Sequence, residues 1–132
     1  MRGVTDFAGV QRFFYSSTEH SKTNLQWLYD PFVMKDCKIA CDRIITAIND
    51  KEKIMVLGDY DVDGTCGVSL FYLFLKELGI EPEIYIPDRI NEGYGISIDA
   101  IDSAESQGIK LIVAIDCGIT ACEKVKYANE KG

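Results

Sequence analysis

The stretch Ile54-Met55-Val56-Leu57-Gly58-Asp59-Tyr60-Asp61-Val62-Asp63-Gly64-Thr65-Cys66 decides the fold. Its first four residues are apolar and read as a short buried strand. Gly58 breaks that strand, and Asp59, Asp61 and Asp63 follow at every second position before Gly64 frees the backbone to turn. In extended chain these positions point the same way, so the pattern aims three carboxylates at one small volume beyond the strand end. Like charges held that close repel unless protons or cations neutralise them. Hard divalent cations take oxygen ligands, which makes Mg²⁺ or Mn²⁺ the economical occupant.

Three other readings compete. Asp and Gly are ordinary turn residues, so a solvated acidic turn is one. The spacing also copies the opening D-x-D-x-D-G of a calcium EF-hand loop. That loop needs a bidentate Glu at its twelfth position, which is Leu70 here, and a helix where this chain has a strand-like run. Asp61 to Thr65 resembles the D-x-D-G-T run of haloacid-dehalogenase-like phosphatases. There the first Asp follows the strand directly, whereas Gly58, Asp59 and Tyr60 intervene here.

Outward from this stretch, the remaining chain alternates helix and strand. Cys37, Ala40, Cys41, Ile44, Ile45 and Ile48 recur at helical spacing and lead to Asn49-Asp50. Thr65 to Leu78 predicts a helix closed by Gly79, apolar nearly all round and hence sandwiched. A second strand spans Glu83 to Ile86, and the loop Pro87 to Ser97 follows. Ser97 is a plausible N-cap for a helix carrying Ile98, Ile101 and Ala104. Leu111 to Ile115 is a third strand, and Thr120 with Glu123 predicts a capping box for a last helix. Short apolar strands alternating with helices predict an α/β fold: a three-layer α/β/α arrangement around a mostly parallel, Rossmann-like sheet. In such sheets ligands sit outside the carboxyl ends of the strands. That rule gathers the Asp59–Asp63 turn, the loop after strand two and Asp116, a lone carboxylate directly after strand three. Asp116 also suits a turn or N-cap, but its convergence with the first cluster favours metal.

With 132 residues, 47% hydrophobic and 27% charged, the chain reads as one globular domain behind an N-terminal extension, residues 1–30. Asp30-Pro31 marks the boundary, and residues 31–132 form the domain. Phe7, Val10, Phe13 and Phe14 suggest a helical turn or two docked on it, and Leu25, Trp27 and Leu28 anchor the chain ahead of the boundary. A net charge of −7 is the wrong sign for holding nucleic acid by bulk electrostatics. The five cysteines form no C-x-x-C pair and read as core residues; the one histidine, His20, sits in a polar loop and leaves zinc short of ligands. No apolar run approaches the roughly 18 residues of a membrane span, so no membrane partner is expected. The odd cysteine count without a signal peptide points to a reducing cytoplasm.

Three segments, GDYDVDG (58–64), IPDRINEGYGIS (86–97) and AIDCGIT (114–120), in that order and spacing, resemble the DHH phosphoesterases. The GYG loop narrows the resemblance to the RecJ branch, single-strand-specific 5′→3′ DNA exonucleases of DNA repair and recombination. The run Asp30-Pro31-Phe32 with Met34, Lys35 and Asp36 resembles the segment ahead of that branch's core. The resemblance implies two-metal phosphodiester hydrolysis with Mn²⁺ or Mg²⁺. It makes Asp61 and Asp63 the first-motif metal ligands and Asp116 the second-motif ligand, with Asp59 in a supporting catalytic role. It implies single-stranded DNA as the partner of the parent enzyme, with a sister substrate (an oligonucleotide, a cyclic dinucleotide or pyrophosphate) as the alternative. Arg89 and Tyr94 are candidates for nucleic-acid contact, the first pairing with phosphate and the second stacking on a base. The Asp-His-His motif that names the family is not among the 132 residues, so the chain reads as an N-terminal fragment, inactive alone and prone to self-association.

Overall fold

A computed structural model describes residues 4–11 and 29–132. His20, Phe13, Phe14, Leu25, Trp27 and Leu28 lie outside the described residues. The chain divides into two units, residues 1–38 and 39–132. In the first, residues 7–11 are helical, Asp6 accepts from the Gly9 amide, and Phe7 is exposed. Asp30 caps a 3₁₀ turn, Pro31–Val33, accepting from the Phe32 amide at 2.9 Å. Proline suits that first position because its missing N–H would be unpaired anyway.

The described chain then runs α1 (Cys37–Asn49), β1 (Ile54–Gly58), α2 (Val62–Glu77), β2 (Glu83–Tyr85), α3 (Ile98–Ser106), β3 (Leu111–Ile115) and α4 (Cys122–Lys131). The three strands form one parallel sheet in the order β2-β1-β3. β1 is buried along its whole length, as its unbroken apolar run requires. On one face, Ile54 and Val56 pack with Ala47 of α1 and Val68 and Leu75 of α2. On the other, Leu57 and Met55 meet Ala100, Ile101 and Ala104 of α3, with Tyr127 and Ala128 of α4 beside them. The expected three-layer architecture is thus the observed one.

Several local expectations need correction. Gly58 does not break β1 but completes it, paired with Ile115. A side chain there would stand 2.2 Å from Val68 Cγ2, so glycine lets α2 lie against the strand. β2 stops at Tyr85, one residue short of Ile86. α2 begins at Val62 rather than Thr65, because Asp61 takes the N-cap and accepts from the Gly64 amide at 3.0 Å. Nor is α2 sandwiched: Val68 and Leu75 are buried, while Leu70, Leu73 and Phe74 are half or more exposed. One stripe of the helix, positions 64, 67, 68, 71 and 75, faces the sheet, and Leu70, Leu73 and Phe74 face away.

The capping box at the last helix does not form. α4 follows Ala121 with no side-chain cap, because the backbone closes a turn from the Ala121 amide to the Gly118 carbonyl. The Ser97 cap is present, accepting from the Ala100 amide at 3.0 Å. Cys66 and Cys122 are exposed rather than core residues. Among the described residues no helix is long and apolar enough to cross a membrane.

Candidate metal centre

Parallel pairing puts the carboxyl ends of all three strands at one edge. The register pairs Gly58 with Ile115, so Asp59 and Asp116 are each the first residue beyond a paired position. Asp59 is 1% exposed, and its Oδ1 is buried with no hydrogen-bond partner among the described residues. An unpaired buried carboxylate oxygen is costly, and such groups are often held for a ligand or for chemistry.

The next two carboxylates reach the edge differently from the alternation argued for extended chain. Asp61 is the N-cap of α2 and Asp63 lies in its first turn. The positive end of the helix favours both negative charges there. Capping occupies Asp61 Oδ1 and leaves its second oxygen for another contact. Both residues are exposed, in contrast to Asp59.

Asp116 adopts a left-handed backbone, φ 60°, a conformation that Asp tolerates better than most residues. Its carboxyl is held above the ordinary range. Shielding from water by the surrounding loops is the first cause, although the residue as a whole is exposed; the carboxylates of Asp61, Asp63 and Asp59 follow, with a hydrogen bond to Asp61. The acids of the first and third loops therefore share one electrostatic neighbourhood. Cys117 beside them is pushed up by burial and then by Asp59 and Asp116.

The donor set is all carboxylate, one member carries an unpartnered buried oxygen, and the Asp116 carboxyl is held above its ordinary range. Those features fit a hard divalent cation. Among the described residues, however, no three histidine, cysteine, aspartate or glutamate side chains are grouped closely enough to hold a metal ion, so the carboxylates share an edge without converging on one point.

The loop after β2 carries the two remaining candidates. Tyr94 is exposed, and its hydroxyl donates to the backbone carbonyl of Asp116 at 3.1 Å. Shielding from water first, then Asp59, Asp116, Cys117 and Asp61, raise its pKa, so it stays a donor. The Arg89 guanidinium lies over the Tyr60 ring, 5.2 Å from its centroid. Two residues that sequence reasoning passed over thus belong to the site's surroundings: Tyr60, between the first two aspartates, and Glu92, which ties the loop together. Tyr60's place inside the acidic run was the available signal; nothing local marks Glu92.

A family model described as the DHH family, N-terminal domain, matches residues 53–132. The chain is 46% identical over 104 residues to the single-stranded-DNA-specific exonuclease RecJ of Bacillus subtilis, covering 79% of this chain and 13% of that protein. A crystal structure of exonuclease RecJ bound to manganese superimposes with a TM-score of 0.67 at 30% identity, covering 74% of this chain and 25% of that one. The structure of RecJ in complex with Mn²⁺ from Thermus thermophilus shares the fold, with a TM-score of 0.65 at 22% identity over 93% of this chain and 17% of that one.

Proposed function

The chain belongs to the DHH family, and from that premise we propose that residues 31–132 are the N-terminal part of a DHH phosphoesterase domain. The enzyme that carries it is a divalent-metal-dependent, single-strand-specific 5′→3′ DNA exonuclease of repair and recombination, acting in the cytoplasm. What supports the reading most is the coupling of Asp116 to Asp61, Asp63 and Asp59 at the carboxyl edge of the sheet. The likeness to RecJ supports the substrate, and the manganese named for a RecJ structure supports the cofactor. DHH membership accounts for the D-x-D-G-T run without a haloacid-dehalogenase-like enzyme.

Asp61, Asp63 and Asp116 would hold Mn²⁺ or Mg²⁺. Bound metal pairs in hydrolases of this kind polarise the phosphate and supply hydroxide near neutral pH. Asp59, buried behind the first turn, orients that turn and offers an oxygen to a proton or a water. Arg89 pairs with a backbone phosphate and Tyr94 presents its ring to a base. Self-association of the 132-residue chain follows from the outer strands of the sheet and the exposed Leu70, Leu73 and Phe74. A light-scattering mass fixed at one chain across a concentration series would remove that part.

The assay uses the natural protein that carries these residues, with Mn²⁺, and compares 5′- and 3′-labelled single strands against duplex, a cyclic dinucleotide and pyrophosphate. Loss of 5′ label from single strands is expected, with turnover abolished by Asp116→Asn. Preference for either small substrate would move the enzyme to a sister DHH activity. Retained turnover in Asp116→Asn would strike Asp116 from the ligand set.

A further inference from the structure

Glu92 stands at the centre of the loop between β2 and α3, and its two carboxylate oxygens are both engaged. Oε2 accepts from the Tyr85 hydroxyl at 2.7 Å and from the Ser97 hydroxyl; Oε1 accepts from the Asp88 amide at 2.8 Å. The Glu92 amide returns a bond to the Asp88 carbonyl at 2.9 Å. Tyr85 is the last residue of β2 and Ser97 is the N-cap of α3. One carboxylate therefore joins the end of a strand, the start of a helix and the turn between them. These bonds hold Glu92 below the ordinary carboxylate range, Ser97 first, so it stays an acceptor near neutral pH.

The loop needs such a tie. Gly93 and Gly95, both with positive φ (80° and 81°), flank Tyr94 and leave its backbone soft. Asp88 closes the first half of the loop, its side chain accepting from the Ile90 and Asn91 amides and its carbonyl from the Glu92 and Gly93 amides. Arg89 lies between Asp88 and Glu92, and Tyr94 lies two residues past Glu92. These two side chains reach the flanking acidic turns: Arg89 lies on Tyr60 of the first, and Tyr94 on the Asp116 carbonyl of the third. A guanidinium held over a ring can still offer N–H donors to a phosphate.

We propose that Glu92 is a positioning residue of the site: by closing the loop, it holds Arg89 and Tyr94 across the acidic turns in the geometry that receives a phosphodiester. The inference rests on the phosphodiesterase reading above. Glu92 does not touch the substrate itself, so its removal acts on substrate capture.

The test measures kcat and KM on single-stranded DNA with Mn²⁺ in the natural protein. Glu92→Gln keeps the shape but offers one acceptor oxygen where two are used. Its KM should rise on the order of tenfold with kcat within about twofold of wild type, the scale of a small misplacement. In an Arg89→Ala/Tyr94→Phe background the same change should add nothing, because Glu92 acts through those two residues. Tyr85→Phe, which removes one bond and leaves the ring in place, should shift KM the same way by a smaller factor. Amide exchange over residues 88–97 should quicken in both variants. An unchanged KM, a fall in kcat that persists in the double background, or unchanged exchange would each overturn the proposal. If wild-type protein shows no metal-dependent hydrolysis of single strands, the nuclease reading fails by itself, and the exchange comparison alone decides whether Glu92 fixes the loop.

Discussion

A methyl group at position 64 would stand 2.4 Å from the carbonyl oxygen of Asp59 and 2.7 Å from its amide nitrogen. Those are backbone atoms, so they cannot swing aside as a side-chain tip would. Gly64→Ala should therefore push the first turn of α2 off the end of β1, at a cost of about 1–3 kcal/mol. Equilibrium urea unfolding measures this, and a loss below about 0.5 kcal/mol would mean the helix start shifts freely. The acids themselves were legible as residues: Asp61, Asp63 and Asp116 stand out by spacing and by their place after apolar runs. Tyr60 and Glu92 were not, because each gains its role from a partner on another loop or across a turn. Alternation along an extended chain picks out the right acids by the wrong geometry, since Asp61 captures the Gly64 amide and starts a helix.

At the scale of elements, β3 was readable to the residue, and β1 to within one, because an unbroken apolar run bounded by polar residues leaves little choice. Helix starts were less readable. Asp61 and Thr120 are both good caps on paper, but only the first is free to act; the backbone turn from Gly118 to Ala121 supplants the second. The apolar surround of α2 misled for a different reason: composition reports that a face is apolar, not what lies opposite it. The structure separates the two faces sharply, with Leu75 0% and Leu70 72% exposed. Leu75→Ala should cost about 2–5 kcal/mol, while Leu70→Ala should stay within about 0.5 kcal/mol of wild type. Paired unfolding curves check this; equal losses would mean Leu70 is covered in solution.

For the whole molecule, charge sets the limit. A chain with net charge −7, with Asp59, Asp61, Asp63 and Asp116 at the carboxyl edge of its sheet, repels a polyphosphate unless cations intervene. The 132-residue chain should show no single-strand binding tighter than roughly 10⁻⁴ M at about 0.15 M salt. Fluorescence anisotropy with a labelled oligonucleotide reads this directly. Submicromolar binding would mean that Arg89 and Tyr94 suffice without a basic groove.

The strand order β2-β1-β3 also carries a consequence in time. Of the three described strands, the first to leave the ribosome is the middle one, and β2 and β3 each add to one of its sides. β1 can collapse with α2, its immediate successor in sequence, before β2 is made, and a chain emerging at about 5–20 residues per second gives that contact seconds to form. Of the two described pairings, that of Ile54 with Leu111 closes the longer loop and forms after that of β1 with β2. The acidic turn after β1 is thus shaped early, by local contacts with α2, and Asp116 is delivered to it when β3 pairs with β1.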